Sequence, residues 1–556
     1  MENKMIARTL RLLSQLMELQ EENPFKIKSV ANAAFKIDKS AVKISTLPLE
    51  QLEKVDGIGK SIALKVDELN QTGSIEELTQ LLQITPSGIV EMLTIKGLGP
   101  KKVQIIWKQL GIESIGELYY ACNENRLVEA KGFGLRTQED IKRIIEFTMS
   151  NIGKLLYARA EEVADKLIDL LNSLSGVFEV KVAGQMARKC EIIDIFSFVI
   201  ATENPSLVIE QLNTTEHFTG TSIQENTWNG SFDNFQLELV LSAPAELTWN
   251  AFVATGSSSH VQLISASDSL DELKLLTSEQ SIYESVNWPY IIPELREDWD
   301  ENKLKSIDHG NIIVLEDLKG TIHNHSTYSD GIHTLREMAL YCKDLGYEYL
   351  GICDHSKSAF YANGLFEDRV AKQHAEIDQL NIELAPFRIF KGIESDILYD
   401  GALDYADNVL ASFDLVVASV HSQLKMTQEK ATERLLKAIE NPYTTVLGHP
   451  TGRLLLAREG YSIDHKLIID ACAANNVVIE LNSNPLRLDM DWKWIDYALS
   501  KNVMISINPD AHRKEGIHDM KYGVHVARKA GLTKNMCFNA LSAVEIAAKF
   551  ATKKSK

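Results

Sequence analysis

The stretch Thr321–Gly331, TIHNHSTYSDG, places His323, His325 and Asp330 within eleven residues. Side chains of a β-strand alternate between its two sides, so histidines separated by one residue face the same way and can share a metal. The pattern returns along the rest of the chain. YEYLGICDH ends on His355, RIFKGIE on Glu394, LVVASVH on His421, TTVLGH on His449, and VMISINPDAH on Asp510 and His512. One further run, NVVIELN, ends without an evident ligand. Amphipathic helical segments separate the runs, which predicts parallel βα units. In an α/β barrel the carboxyl ends of the strands open on one mouth, where residues distant in sequence meet. Six of seven strand ends carrying imidazole or carboxylate predict a centre for zinc, manganese or iron(II), with carboxylates bridging ions. Asp354, beside His355, is expected to orient an imidazole, and Arg453 and Arg513 to meet substrate phosphate. His260, His333, His374 and His465 fall outside the pattern.

The motif set HxH, DG, DH, GIE, VHS, GHP and DAH resembles the polymerase and histidinol phosphatase (PHP) domain. That resemblance implies a distorted (β/α)7 barrel with a trinuclear phosphoesterase centre acting as a 3′-5′ exonuclease. Its nine ligand positions are filled by His323, His325, Asp330, His355, Glu394, His421, His449, Asp510 and His512. Manganese is the expected ion, up to three per site, with zinc, iron(II) and magnesium as alternatives.

The first quarter repeats one phrase three times. LEKVDGIGKSIALKVDEL carries Gly57 and Gly59, LTIKGLGPKKVQIIW carries Gly97 and Gly99, and VEAKGFGLRTQEDIKRII carries Gly132 and Gly134. Each reads as helix, glycine–apolar–glycine turn, helix, a form that directs the N–H groups of the second helix outward. Such a turn can hold a phosphate without reading a base. The triplet resembles the helix-hairpin-helix motif of DNA repair proteins, and Lys60, Lys101 and Lys102 follow the turns. The overall net charge of -19 argues against nucleic acid, but residues 1–150 hold 20 Lys and Arg against 20 Asp and Glu, which leaves 38 against 57 for the remainder.

From Tyr157 an amphipathic helix leads into two β-rich stretches joined through GQMARKCE, and WPYIIPELRED follows at Trp288–Asp298. With the hairpins before it, this arrangement resembles a bacterial family X DNA polymerase, and the C-terminal half of the chain matches that family nearly throughout. In that family the palm holds two ions on an Asp-x-Asp pair and a third aspartate. Here Gly184, Arg188 and Asp194 are kept, but Gln185 replaces a serine, DIFS lacks the second acid, and Glu238 stands at the third. Thr255, Gly256 and Ser257 keep a family triplet, with Val253 and Ala254 in place of an aromatic pair. The resemblance also places Lys65 at the position of a lysine that attacks abasic-site sugar, an attack that burial or a nearby cation such as Lys60 would favour.

The expected architecture is multidomain: an α-helical helix-hairpin-helix head, an α/β nucleotidyltransferase-like palm with a thumb, and a C-terminal distorted (β/α)7 barrel. The boundaries are 1–80, 81–150, 151–240, 241–305, a linker at 306–317, and 318–556. No run of about 18 apolar residues exists, the N-terminus lacks a signal peptide's apolar core, and six cysteines are scattered without a CxxC. This predicts a cytoplasmic monomer away from membranes. The expected function is a DNA-repair 3′-5′ exonuclease with impaired polymerase activity, acting on gapped, nicked or 3′-ended DNA. The alternatives are an intact polymerase/exonuclease and a DNA-binding scaffold whose barrel hydrolyses small phosphate esters.

Overall fold

The computed structural model describes all residues except 41, 96, 129, 151–152, 267–269 and 555–556. Two compact units form, Met1–Glu146 and Phe147–Lys556.

The first unit is helical. Its opening helices, Asn3–Leu19 and Pro24–Lys39, bury Leu10, Leu13, Met17, Val30 and Ala33 between them. The three repeated phrases become three turns of one geometry. Gly57, Gly97 and Gly132 sit at φ of +84°, +93° and +91°, a region that side chains other than glycine's enter at a cost. Gly59 and Gly99 then cap the helices Lys60–Thr72 and Pro100–Gln104, and Gly134 precedes Leu135–Ser150. The intervening Ile58 and Leu98 are buried and anchor their turns. A Cβ placed on Gly59, Gly97, Gly99, Gly132 or Gly134 would meet nothing within 4 Å, so these turns face open space.

The second unit begins with a palm-like sheet. Its strands are β1 (Leu155–Leu156), β2 (Val177–Ala183), β3 (Ile192–Ile193), β4 (Ile195–Thr202), β5 (Phe218–Gln224), β6 (Thr227–Phe232) and β7 (Phe235–Ser242). β2, β4, β7, β6 and β5 lie in that order, with β4 and β7 parallel, while β1 pairs with β3 alone. Alternation along β4 and β7 sends Phe196, Phe198, Leu237 and Leu239 into the core under the helix Tyr157–Asn172. Helices from Leu247 to Ser306 follow, around Phe252, Ile282, Tyr283 and Leu295.

Seven parallel strands make the barrel: β8 (Gly320–Thr321), β9 (Tyr349–Ile352), β10 (Arg388–Asp396), β11 (Leu415–Ser419), β12 (Val446–Leu447), β13 (Val478–Asn482) and β14 (Ile505–Asn508). Each neighbours the next in chain order, as short right-handed βα crossovers produce. Buried on both faces, they read as apolar runs. β14 returns to β8 through a bridge between Asn324 and Ala511, with the His325 N–H donating to Ala511 C=O at 2.9 Å. Lower in the same seam the fully buried Asn539 amide replaces the missing ladder. Its Oδ1 accepts from Ile507 N–H at 2.7 Å, and its Nδ2 donates to Gly320 C=O at 3.1 Å.

The barrel and palm-like sheet share one apolar cluster, and ion pairs cross between them. Lys521 reaches Glu161 at 2.9 Å, Arg528 reaches Glu294 at 2.8 Å, and the buried Lys529 reaches Glu297 at 3.0 Å. All six cysteines are unpaired. Among the described residues no helix is long and apolar enough to cross a membrane.

Candidate metal centre

The C-terminal ends of the barrel strands bring the sequence-picked residues into one buried cluster. Beyond β8 stand His323 and His325, beyond β9 His355, on β10 Glu394, beyond β11 His421, beyond β12 His449, and beyond β14 Asp510 and His512, with Asp330 supplied by the turn after His325. Two of the strand ends turn through left-handed backbone, His449 at φ +21° and Asp510 at φ +52°. Such conformations cost about 1–3 kcal/mol each and persist where the surrounding structure holds a side chain on target.

Glu394 is the centre of the cluster. Its Oε1 lies 3.0 Å from His449 Nε2 and 3.1 Å from His421 Nε2, and its Oε2 lies 2.9 Å from His355 Nδ1. Asp510 Oδ1 lies 2.9 Å from His325 Nε2, and Asp330 lies 3.5 Å from His355 Nε2 and 3.4 Å from His512 Nε2. Three groups of donor atoms drawn from the barrel alone lie mutually within 4.8 Å: His325, Asp330, His355 and His512; His323, His325 and Asp510; and His355, Glu394 and His421. His325 belongs to the first two groups and His355 to the first and third.

Electrostatics follow from this packing. Burial and the neighbouring His512 and His355 push His325 down to about 3, so it is a neutral imidazole with a lone pair to donate. Burial alone would also lower His323, but the carboxylates of Glu480, Asp510 and Glu394 outweigh it and hold that ring well above the usual range. Burial opposes ionisation of Glu394 too, and the His421, His355 and His323 charges overcome it, leaving the carboxyl well below its usual value.

The donor set fits divalent ions. His323 Nε2, both ring nitrogens of His355, Asp330 Oδ2 and Glu394 Oε2 are buried without hydrogen-bond partners. Unpaired buried polar atoms are costly, and a cation among them removes that cost. Mixed imidazole and carboxylate donors suit manganese, zinc or iron.

Three expectations are corrected. Asp354 touches no imidazole directly: it accepts five hydrogen bonds, from the Ser326 and Ser329 amides and hydroxyls and from the Gln373 amide, and reaches a ring only through the Ser329 hydroxyl, 3.5 Å from His325 Nδ1. Next to His355 in the chain, it points to the other side of the backbone and clamps the 326–329 turn. The orienting groups are Asp396, 2.5 Å from His421 Nδ1, and Glu480, 2.7 Å from His323 Nδ1. Glu480 lies on β13, the run that looked ligand-free, and an acid inside a buried apolar strand was the available signal. Arg453 is turned into the protein, donating to Arg487 C=O at 3.1 Å and to Asp491 at 2.8 Å, and also to Leu488 C=O. In the head, Lys65 is largely buried and pairs with Glu77, so its partner is a carboxylate and not Lys60.

The palm residues are likewise occupied internally. Arg188 pairs with Glu297 at 3.1 Å and donates to Thr255 C=O at 2.6 Å. Gln185 Oε1 accepts the Asp194 N–H at 2.8 Å, while the exposed Asp194 side chain meets Lys154 at 3.4 Å. Glu238 stands beside Ser197 in the β4–β7 register, and Ser197 packs against Gly184, where a Cβ would come within 2.8 Å of its hydroxyl. The histidines outside the pattern have local roles: His260 bonds Tyr283 at 2.7 Å, His374 packs on Phe413, His465 stacks on Trp494 at 4.3 Å, and His333 accepts from the Lys514 N–H at 3.3 Å.

Glu480→Gln is expected to weaken Mn2+ binding or turnover by roughly 10–100-fold, as loss of a ligand's orienting partner does. Equilibrium dialysis with Mn2+ checks this, and parental affinity with parental turnover would show that Glu480 does not position His323.

A nearly closed parallel seven-stranded barrel with this donor cluster at its mouth is of the PHP class, and the PHP domain family matches residues 321–484. The helix-hairpin-helix domain matches residues 1–75 and the SAM-like helix-hairpin-helix tandem matches residues 89–146. The DNA polymerase/3′-5′ exonuclease PolX of Bacillus subtilis (strain 168) is 33% identical over 573 residues, covering 99% of this chain and 99% of that protein. The chain therefore belongs to the bacterial PolX family, family X polymerases carrying a PHP domain. Probable phosphatases are similar over part of the chain. That of Clostridium novyi (strain NT) is 25% identical over 175 residues, 30% of this chain and 65% of that protein. That of Thermoanaerobacter sp. (strain X514) is 24% identical over 237 residues, 41% of this chain and 90% of that protein.

Proposed function

We propose that the barrel cluster is a manganese-dependent centre that removes nucleotides from DNA 3′ ends, and that the palm-like sheet no longer extends primers. The observation that carries the first part is the overlap of the three donor groups through His325 and His355, which allows up to three adjacent ions. Divalent ions bound there supply Lewis acidity and positive charge for phosphodiester hydrolysis. The chain's own residues do the rest. His323, His325, Asp330, His355, Glu394, His421, His449, Asp510 and His512 serve as the ligands. Glu480 and Asp396 hold His323 and His421 by their Nδ1 atoms, leaving each Nε2 aimed at the cluster. Asp354 fixes the turn that carries Asp330, and the buried walls limit water to the mouth.

The DNA partner is supported by the three hairpins. Their turns at Gly57, Gly59, Gly97, Gly99, Gly132 and Gly134, of which all but Gly57 face open space, with Lys60, Lys101 and Lys102 beside them, suit sequence-independent contacts to the sugar-phosphate chain of gapped, nicked or 3′-ended DNA. A loss of polymerisation is supported by the internal pairing of Arg188, by Gln185 on the Asp194 backbone, and by Ser197 beside Glu238, where paired acids would be needed. We place the protein in the cytoplasm as a monomer.

Purified protein with Mn2+ and 5′-labelled DNA is expected to yield a ladder shortened from the 3′ end, stopped by EDTA and restored by excess Mn2+. Undiminished shortening of DNA by metal-stripped protein in EDTA would refute the metal centre.

A further inference from the structure

The turn following β9 holds a feature that the metal ligands do not explain. Phe360 is 81% exposed, although the loop carrying it is tightly tied. Ser356 bridges Leu365, the Leu365 N–H donates to His355 C=O at 2.8 Å, and the Gly364 N–H donates to Ala359 C=O at 3.1 Å. From outside, Arg369 donates to Asn363 C=O at 2.8 Å. Gly364 lies so close to the Ser356 carbonyl that a Cβ would stand 2.0 Å from it, so the loop cannot loosen without losing that packing. A large apolar ring held in water by a fixed loop is costly unless something covers it, and fixing it in advance lowers the cost of covering it.

The rings lead from the cluster to the surface. The Tyr361 ring centroid lies 6.4 Å from the His355 imidazole, and the Phe360 ring lies 5.9 Å from that of Tyr361 at 77°. His355 belongs to two of the three donor groups, so Phe360 stands about two ring spacings from the reacting position, on the mouth side of the barrel. Two ring spacings are the reach of a nucleotide or two along an extended strand. A base next to a phosphodiester held in the cluster can therefore reach the exposed face of Phe360.

We propose that Phe360 is a stacking platform for a base of the DNA strand whose terminal phosphodiester occupies the cluster, and that it makes the centre favour base-bearing, unpaired 3′ ends. This rests on the exonuclease reading above. Stacking on an aromatic ring is tolerant of sequence because every base has a π-face. Phe360 is thus a positioning residue for DNA and is indifferent to the hydrolytic step.

The test compares single-stranded oligonucleotides ending in ordinary nucleotides with ones whose last two residues are abasic, alongside bis(p-nitrophenyl) phosphate, using full-length protein with Mn2+. The parent is expected to prefer the base-bearing end by roughly tenfold in kcat/KM, mainly through KM. Phe360→Ala should abolish that preference and leave diester hydrolysis unchanged, and Phe360→Trp should restore it. Because the side chain is exposed, truncation removes no core packing. A Phe360→Ala variant that retains the parental preference overturns the platform alone, as does a parent with no preference. A parent that hydrolyses the small diester but no DNA overturns the exonuclease reading with it.

Discussion

Asp510→Ala is expected to lower metal-dependent DNA shortening on the order of a thousandfold or more. Asp510 Oδ1 meets His325 Nε2 at 2.9 Å and shares a donor group with His323 and His325. Loss of one ion removes several kcal/mol of charge stabilisation from the transition state, and each 1.4 kcal/mol is about tenfold in rate. The fold should persist, because residues at a barrel mouth serve function more than stability. Initial rates on a labelled single strand, with a circular dichroism spectrum of the variant, check both halves of the expectation. A variant that degrades DNA within a factor of about ten of the parent would remove Asp510 from the centre.

The second large effect concerns the palm. Purified protein is expected to extend a primer at least a hundredfold more slowly than a working two-metal polymerase, since misplacing reacting groups by about 1 Å already costs about that much. The second acid of the expected pair is absent, and Phe196 at that part of β4 is buried in the core. Glu238 has Ser197 beside it, and Arg188 is held by Glu297 within a group that includes Lys529 of the barrel. For Arg188 to meet a triphosphate it would have to leave its partly buried pairing with Glu297 and the Thr255 carbonyl. Steady-state incorporation of a single complementary nucleotide opposite a template, with the barrel silenced by Asp510→Ala, measures this. Incorporation at ordinary polymerase rates would show that Glu238 and Asp194 hold their ions after all.

The donor cluster was legible because all of its residues but Asp330 stand at the ends of apolar runs, and strand ends of a parallel barrel share one mouth. Period and position together are local information. What supports the ligands was not legible in the same way. Glu480 and Asp396 reach His323 and His421 across 157 and 25 residues, and nothing near either acid names its partner. Asp354 misled because adjacency in sequence to His355 suggests contact, whereas strand alternation sends the two side chains apart. Arg453 was expected at the substrate phosphate, but the carbonyls of Arg487 and Leu488 draw it inward. Closure of the barrel was equally hidden, since it depends on Asn539, far from both strands it joins. The glycine turns were legible because the requirement for positive φ at Gly57, Gly97 and Gly132 is local.

The most direct test of the barrel as the nucleolytic centre is one denaturing gel of a 5′-labelled primer annealed to a longer template, incubated with Mn2+ and with or without nucleotides. Parental protein should shorten the primer in both conditions and add nothing, and His325→Ala should leave the primer at its starting length. Shortening by His325→Ala at the parental rate would contradict the assignment of hydrolysis to this cluster.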